Sequence, residues 1–136
     1  MRSPRVYWRD SGLLHAELGV STGDDLLAHP IAGKSWEGFV IQQILGALAA
    51  RGTPVEPFWV RTADGLEVDL VIRRGTSVWA IETKLTSRPS DQDFARFTRA
   101  ADLAGAHQRY LIAPVGEPSL GDSGGVLSLP DFLARL

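Results

Sequence analysis

Between positions 58 and 85, three runs rich in β-branched and aromatic residues follow one another with only two short polar breaks, Ala63-Asp64-Gly65 and Arg74-Gly75-Thr76. Breaks that short join only antiparallel neighbours. The middle of the chain is therefore expected to be a three-strand meander over 58–62, 66–73 and 77–85. Ahead of it, Trp36, Val40, Ile41, Ile44, Leu45 and Leu48 recur at helical spacing between Ser35, a candidate N-cap, and the stop residue Gly52, which predicts a helix over 35–51. Behind it, Pro89-Ser90-Asp91 opens a second helix over about 92–103, with Phe94, Phe97 and Ala101 at helical intervals, and 109–113 reads as a fourth strand. Helix, three strands, helix, strand is an α/β domain: a mixed sheet with a helix on each face.

The flanking segments are weaker. Arg5-Val6-Tyr7-Trp8 reads as a short strand or extended piece, 13–18 as a brief helix ended by Gly19, and 21–33 as a loop with one helical turn. Residues 1–34 are thus expected to be an extension packed on a core of 35–136, in a single domain overall, since 136 residues bury one sizeable core rather than two. The tail reads as a flexible loop over 116–125, a short strand over 126–129 and a turn of helix from Pro130. No apolar stretch approaches the roughly 18 residues that span a bilayer, and the basic start Met1-Arg2-Ser3-Pro4-Arg5 leads into no hydrophobic signal region, so a cytoplasmic chain with no membrane partner is expected. The absence of cysteine excludes disulfide frameworks, thiolate zinc sites, iron–sulfur clusters and cysteine nucleophiles. Any metal must be held by oxygen or imidazole. A formal net charge of −2 and a pI near 5.9 speak against a basic nucleic-acid coat, though 12 of the 14 cations are arginine and a local patch is compatible with them.

Carboxylates fall where apolar residues belong. Glu37 lies within the stripe made by Val40, Ile41, Ile44 and Leu48 and is expected to point inward, its charge eased slightly by the nearby helix start. Alternation puts Glu67, Asp69 and Val71 on one face of the second strand, with Leu66, Val68, Leu70 and Ile72 on the other. It puts Val78, Ala80, Glu82 and Lys84 together on the third. A loop over 74–77 sets Asp69 directly across from Glu82 on one face, and opposed like charges want a cation between them. Lys84 is one such cation, and a plain salt bridge on a solvated face would account for it with one carboxylate. Asp69, Glu82 and an inward Glu37 together are a hard-oxygen set suited to Mg²⁺ or Mn²⁺.

These residues resemble the PD-(D/E)XK nuclease superfamily, whose core runs helix, three-strand meander, helix, strand, as in restriction endonucleases. Matched one by one, Glu37 falls at the helical acid, Asp69 at the motif aspartate and Glu82-Thr83-Lys84 at the final motif, with Val68 where proline is common and Thr83 a less usual middle residue. The resemblance implies a metal held by Asp69, Glu82 and the Thr83 carbonyl, Glu37 holding a water at the ion, and Lys84 orienting the attack on a DNA phosphodiester. The wording of the chain, Val6-Tyr7-Trp8-Arg9-Asp10-Ser11-Gly12-Leu13-Leu14, Trp36-Glu37-Gly38-Phe39-Val40, Trp59-Val60-Arg61-Thr62 and Glu67-Val68-Asp69-Leu70-Val71, is similar to an uncharacterised domain found C-terminal to AAA-type ATPase modules. That likeness implies an ATPase partner in cis or in trans. The rival expectation is a catalytically silent nuclease-like module that binds DNA or a protein partner for an ATPase.

Other motifs carry less. Gly33-Lys34-Ser35 echoes a phosphate-binding loop, but Ala28 stands at its first glycine and Pro30 lies inside it. Gly121-Asp122-Ser123-Gly124-Gly125 spells a serine-protease signature without the length or histidine motif of such enzymes, and reads as a glycine-rich surface loop. His15, His29 and His107 lack ligand spacing, and most of the four tryptophans read as core-packing residues rather than platforms for base stacking. Lys84, Arg88, Arg96, Arg99 and Arg109 outnumber Asp91, Asp93 and Asp102, either as a solvated helix face or as phosphate contacts.

Overall fold

A computed structural model describes residues 5–53, 55–63 and 65–136. Met1 to Pro4, Pro54 and Asp64, the centre of the first expected turn, lie outside the described residues. In chain order the elements are α1 (Ser11–Glu17), α2 (Gly23–Ala28), α3 (Ala32–Ala50), β1 (Phe58–Arg61), β2 (Glu67–Arg74), β3 (Ser77–Thr83), α4 (Asp91–Leu103), β4 (Gln108–Ile112), β5 (Ser119–Gly121), β6 (Gly124–Leu127) and α5 (Leu129–Leu133). They build an open, mixed six-stranded sheet in the order β1-β2-β3-β4-β6-β5. The meander β1-β2-β3 is antiparallel, and α4 carries the chain across so that β4 runs parallel to β3. This is the expected α/β architecture.

Each sheet face buries its own cluster. Val40, Ile41, Ile44 and Leu48 of α3 pack with Leu70, Ile72, Ile81, Ile112 and Phe132 on one face, and Phe97, Ala100 and Ala101 of α4 pack with Val68, Val71, Ala80 and Leu111 on the other. Ser90 opens α4 with a capping box, its hydroxyl accepting from the Asp93 amide while Asp93 accepts from the Ser90 amide. The longer helix departs from expectation. It starts at Ala32 rather than Ser35, with Ile31 as a cap that makes no side-chain bond, because the Ser35 hydroxyl pairs with His15 Nε2 at 2.6 Å. Gly33-Lys34-Ser35 is therefore helical and forms no phosphate-binding loop.

The β2–β3 register is the expected one, with Leu70 opposite Ile81 and Arg74 opposite Ser77. The side-chain alternation on β2 is not. Phe58 pairs with Val71 but Val60 with Val68, so two steps on β1 face three on β2, and the surplus residue falls at Asp69-Leu70. Leu66 and Val68 consequently join the α4 cluster while Leu70 and Ile72 join the α3 cluster, instead of all four sharing one face.

The expected flexible tail loop contains a hairpin. β5 and β6 pair antiparallel, and β6 adds to β4 in parallel. Gly124 has φ of +116°, and a Cβ there would collide with the Arg109 carbonyl across the sheet. Gly124→Ala is expected to lower unfolding free energy by about 2 kcal/mol in urea titrations, since neither the backbone angle nor the strand spacing admits a methyl group. Ser123 sits in the turn of this hairpin. The histidines are engaged elsewhere: His29 Nδ1 accepts from the Ile31 amide, and His107 Nδ1 from the Val78 amide.

Candidate functional site

Glu37 is the sixth residue of α3, one turn deeper than the expected helix start placed it, and only 5% of it is exposed. The helix-end amides therefore do not satisfy it. Its Oε1 accepts from Arg5 Nη1 at 3.0 Å and from the Tyr7 hydroxyl at 2.6 Å, and its Oε2 from Lys34 Nζ at 2.6 Å. Asp69, 8% exposed at the bulge, accepts on Oδ1 from the same Arg5 nitrogen at 3.2 Å, and on Oδ2 from the Thr83 amide and hydroxyl at 3.0 and 3.1 Å. The second guanidinium nitrogen of Arg5 pairs with Glu67, and the group lies 4.6 Å from the centre of the Trp59 ring. Arg5 thus stands among three carboxylates. The expectation that Lys84 would be the cation between Asp69 and Glu82 is corrected in part: Arg5 meets Asp69, and of these two acids Lys84 lies near Glu82 alone.

Glu82 is the strained member. Following Ala80 in alternation, it faces α4, whereas Asp69, turned by the bulge, reaches Arg5 and Glu37 beside α3. The two acids therefore meet at the end of the sheet from opposite sides rather than on one face. Glu82 Oε2 is buried and accepts from no group among the described residues. Lys84 Nζ lies 3.7 Å from Oε1 and 3.9 Å from Asp93 Oδ1, near enough for attraction but too far for a hydrogen bond. Burial, and then the charge of Asp69, push the Glu82 carboxyl up to about 8, against a weaker downward pull from Lys84. Burial and the charge of Glu37 also raise Asp69, opposed by the Thr83 hydrogen bonds and Arg5. Burial alone would lower Arg5, but the bond to Tyr7 and the charges of Glu37 and Glu67 outweigh it and hold the guanidinium protonated.

Glu82 and Lys84 line a cleft of about 190 Å³ together with Glu67, Asp93, Arg96 and Phe97. Arg5, Tyr7, Trp59 and Asp69 line a separate groove beside α3. All four expected site residues and Thr83 thus gather at one end of the sheet, Glu82 and Lys84 at the cleft, Asp69 at the groove, and Glu37 and Thr83 buried behind Asp69. Among the described residues, no three carboxylates or imidazoles enclose one point closely enough to hold an ion as they stand. The sequence reading missed Arg5 and Tyr7, while Arg96, weighed there as a phosphate contact or part of a solvated helix face, lines the cleft. The first two carried a signal, since residues two apart on an extended segment share a side.

Fold and site together define an α/β domain whose sheet end carries a buried excess of carboxylate tied together by one arginine. A protein-family model described as "Domain of unknown function (DUF4143)" matches residues 32–132, and the chain belongs to that family. Uncharacterised proteins of Mycobacterium bovis (Mb2031c) and Mycobacterium tuberculosis (Rv2008c) are each 36% identical to it over 129 residues, covering 95% of this chain and 28% of theirs. The chain thus spans little more than a quarter of the length of these relatives. Among the described residues no helix is long and apolar enough to cross a membrane.

Proposed function

We propose that this chain is a PD-(D/E)XK nuclease-like domain that hydrolyses DNA phosphodiester bonds with Mg²⁺ or Mn²⁺, in the cytoplasm and beside an AAA-type ATPase module carried in cis or in trans. The observation that carries the reading is Glu82: a carboxylate with a buried, unpartnered oxygen, next to Asp69 and open to a cleft shared with Lys84 and Arg96. A divalent cation relieves that electrostatic stress, and the oxygens present are the hard donors such ions prefer. The element order and the position of the acids at the sheet end support it further. The relatives, most of whose length lies outside the matched stretch, leave room for an ATPase module.

Asp69, Glu82, the Thr83 carbonyl and Glu37 would hold the ion, which supplies Lewis acidity toward a phosphate oxygen. Lys84, 39% exposed at the cleft, orients the attacking water and steadies the negative charge carried by the phosphate oxygens as water adds. Arg96, lining the same cleft, adds a second cation for the phosphate. Thr83 keeps Asp69 aimed by donating two hydrogen bonds to one of its oxygens.

Calorimetric titration with Mn²⁺ tests the reading. The wild type is expected to bind, and Asp69→Ala to lose at least about tenfold in affinity, the loss common when a metal site loses a supporting group. A titration without Asp69-dependent binding retires the metal-dependent reading. It would leave a silent module binding DNA or a protein partner, a second reading favoured by the way Arg5 already neutralises Glu37 and Asp69.

A further inference from the structure

Arg5 reaches the buried acids from an extended segment, not from the core. Residues 5–9 belong to no helix or strand, and among the described residues no backbone hydrogen bond ties them to one. Val6 is 89% exposed and Trp8 54%, so the segment is fastened through the side chains that alternate with them, Arg5 on the carboxylates and Tyr7 on Glu37 and against Gly38. One nitrogen, Arg5 Nη1, touches both Glu37 Oε1 and Asp69 Oδ1. Two acids assigned to an ion are thus bridged by a single positive group.

We infer that the Arg5-Tyr7 strap is a built-in counter-cation that competes with the divalent ion, so that metal loading requires Arg5 to leave and the N-terminal segment restrains the site until it does. This rests on the metal-dependent reading above and names a control on that same site. The physical case is direct. A guanidinium and a divalent ion cannot occupy the space between the same two carboxylates, because like charges a few ångströms apart in a poorly solvated pocket repel strongly. Without any cation the buried acids would face one another unscreened, and Arg5 supplies the missing charge. Displacement is feasible because it breaks side-chain contacts and a stacking contact on Trp59 without unzipping any strand.

Two measurements decide it. In calorimetric titrations of the full chain with Mn²⁺, Arg5→Gln is expected to bind at least tenfold more tightly than wild type, with Asp69→Ala binding more weakly than either. In the wild type, saturating Mn²⁺ is expected to speed tryptic cleavage after Arg5 severalfold, because a guanidinium held by three carboxylates must leave them before the protease can bind it, a readout that needs no variant to fold. Equal affinity in wild type and Arg5→Gln, or weaker binding in the variant, overturns the strap while leaving the metal site standing. Metal binding with unchanged cleavage after Arg5 also overturns it. If neither protein binds Mn²⁺, the strap and the metal-dependent reading fall together.

Discussion

At pH 9, Glu82→Gln is expected to melt about 10 °C above the wild type, and the same variant to bind Mn²⁺ at least tenfold more weakly. The folded carboxyl titrates at about 8 against an ordinary 4.5, so the sign of the effect follows from proton counting. Below about pH 4.5 the folded and unfolded chains both carry the proton and the group contributes no difference. Between 4.5 and 8 the folded chain keeps a proton that the unfolded chain has shed, so stability falls as pH rises. Above 8 the folded protein holds the buried charge at full cost, of order 3 kcal/mol once relaxation is allowed for. Glutamine keeps the size, carries no charge and adds a donor, which removes that slope; Asp69, raised in the same direction, leaves a smaller one. Thermal melts of both proteins from pH 5 to 9 check it. A wild type equally stable at pH 6 and 9, with no gain in the variant, would show that Glu82 is not strained. Gain in stability with loss of ligand is the pattern of a residue kept for function at the expense of the fold.

Lys84→Ala is expected to slow single-turnover cleavage of supercoiled DNA by roughly 10²- to 10⁴-fold, the range for a positioned proton-transfer or charge-stabilising group, while Mn²⁺ affinity moves by about threefold at most. The separation follows from geometry: the Lys84 nitrogen flanks Glu82 at 3.7 Å and, as a cation, is no ligand. Its charge holds Glu82 down, so its loss shifts that carboxyl further up and slightly weakens metal binding near neutral pH. Cleavage at the wild-type rate in Lys84→Ala would remove Lys84 from the chemistry, and a parallel loss of metal affinity would recast it as a structural partner of Glu82.

Much of the core was legible because its signals are local. The meander rests on two glycine turns with polar flanks, α4 on a Ser90 capping box, and the inward Glu37 on helical periodicity; the structure returns each of them. The start of α3 was misread because Ser35, a good cap by type, is captured by His15 from α1, a contact 20 residues away that no local pattern contains. Val126 and Leu127 were read as strand, but β5 and the first half of β6 were read as a loop because Gly124 and Gly125 look like punctuation. In the sheet they are glycines because neighbouring strands approach too closely for a side chain.

The linear order of residue types was enough to determine the α/β class, the helix–strand order and which acids would be drawn toward one end of the sheet, since periodicity and turn chemistry act over a few residues. How those acids are shared out was decided only in three dimensions. A one-residue bulge at Asp69-Leu70 turned Asp69 away from the side of Glu82, and Arg5, 32 positions from Glu37 and 64 from Asp69, became the cation that joins them. Charge is felt through space, so its partners are set by where the folded chain returns and not by distance along it.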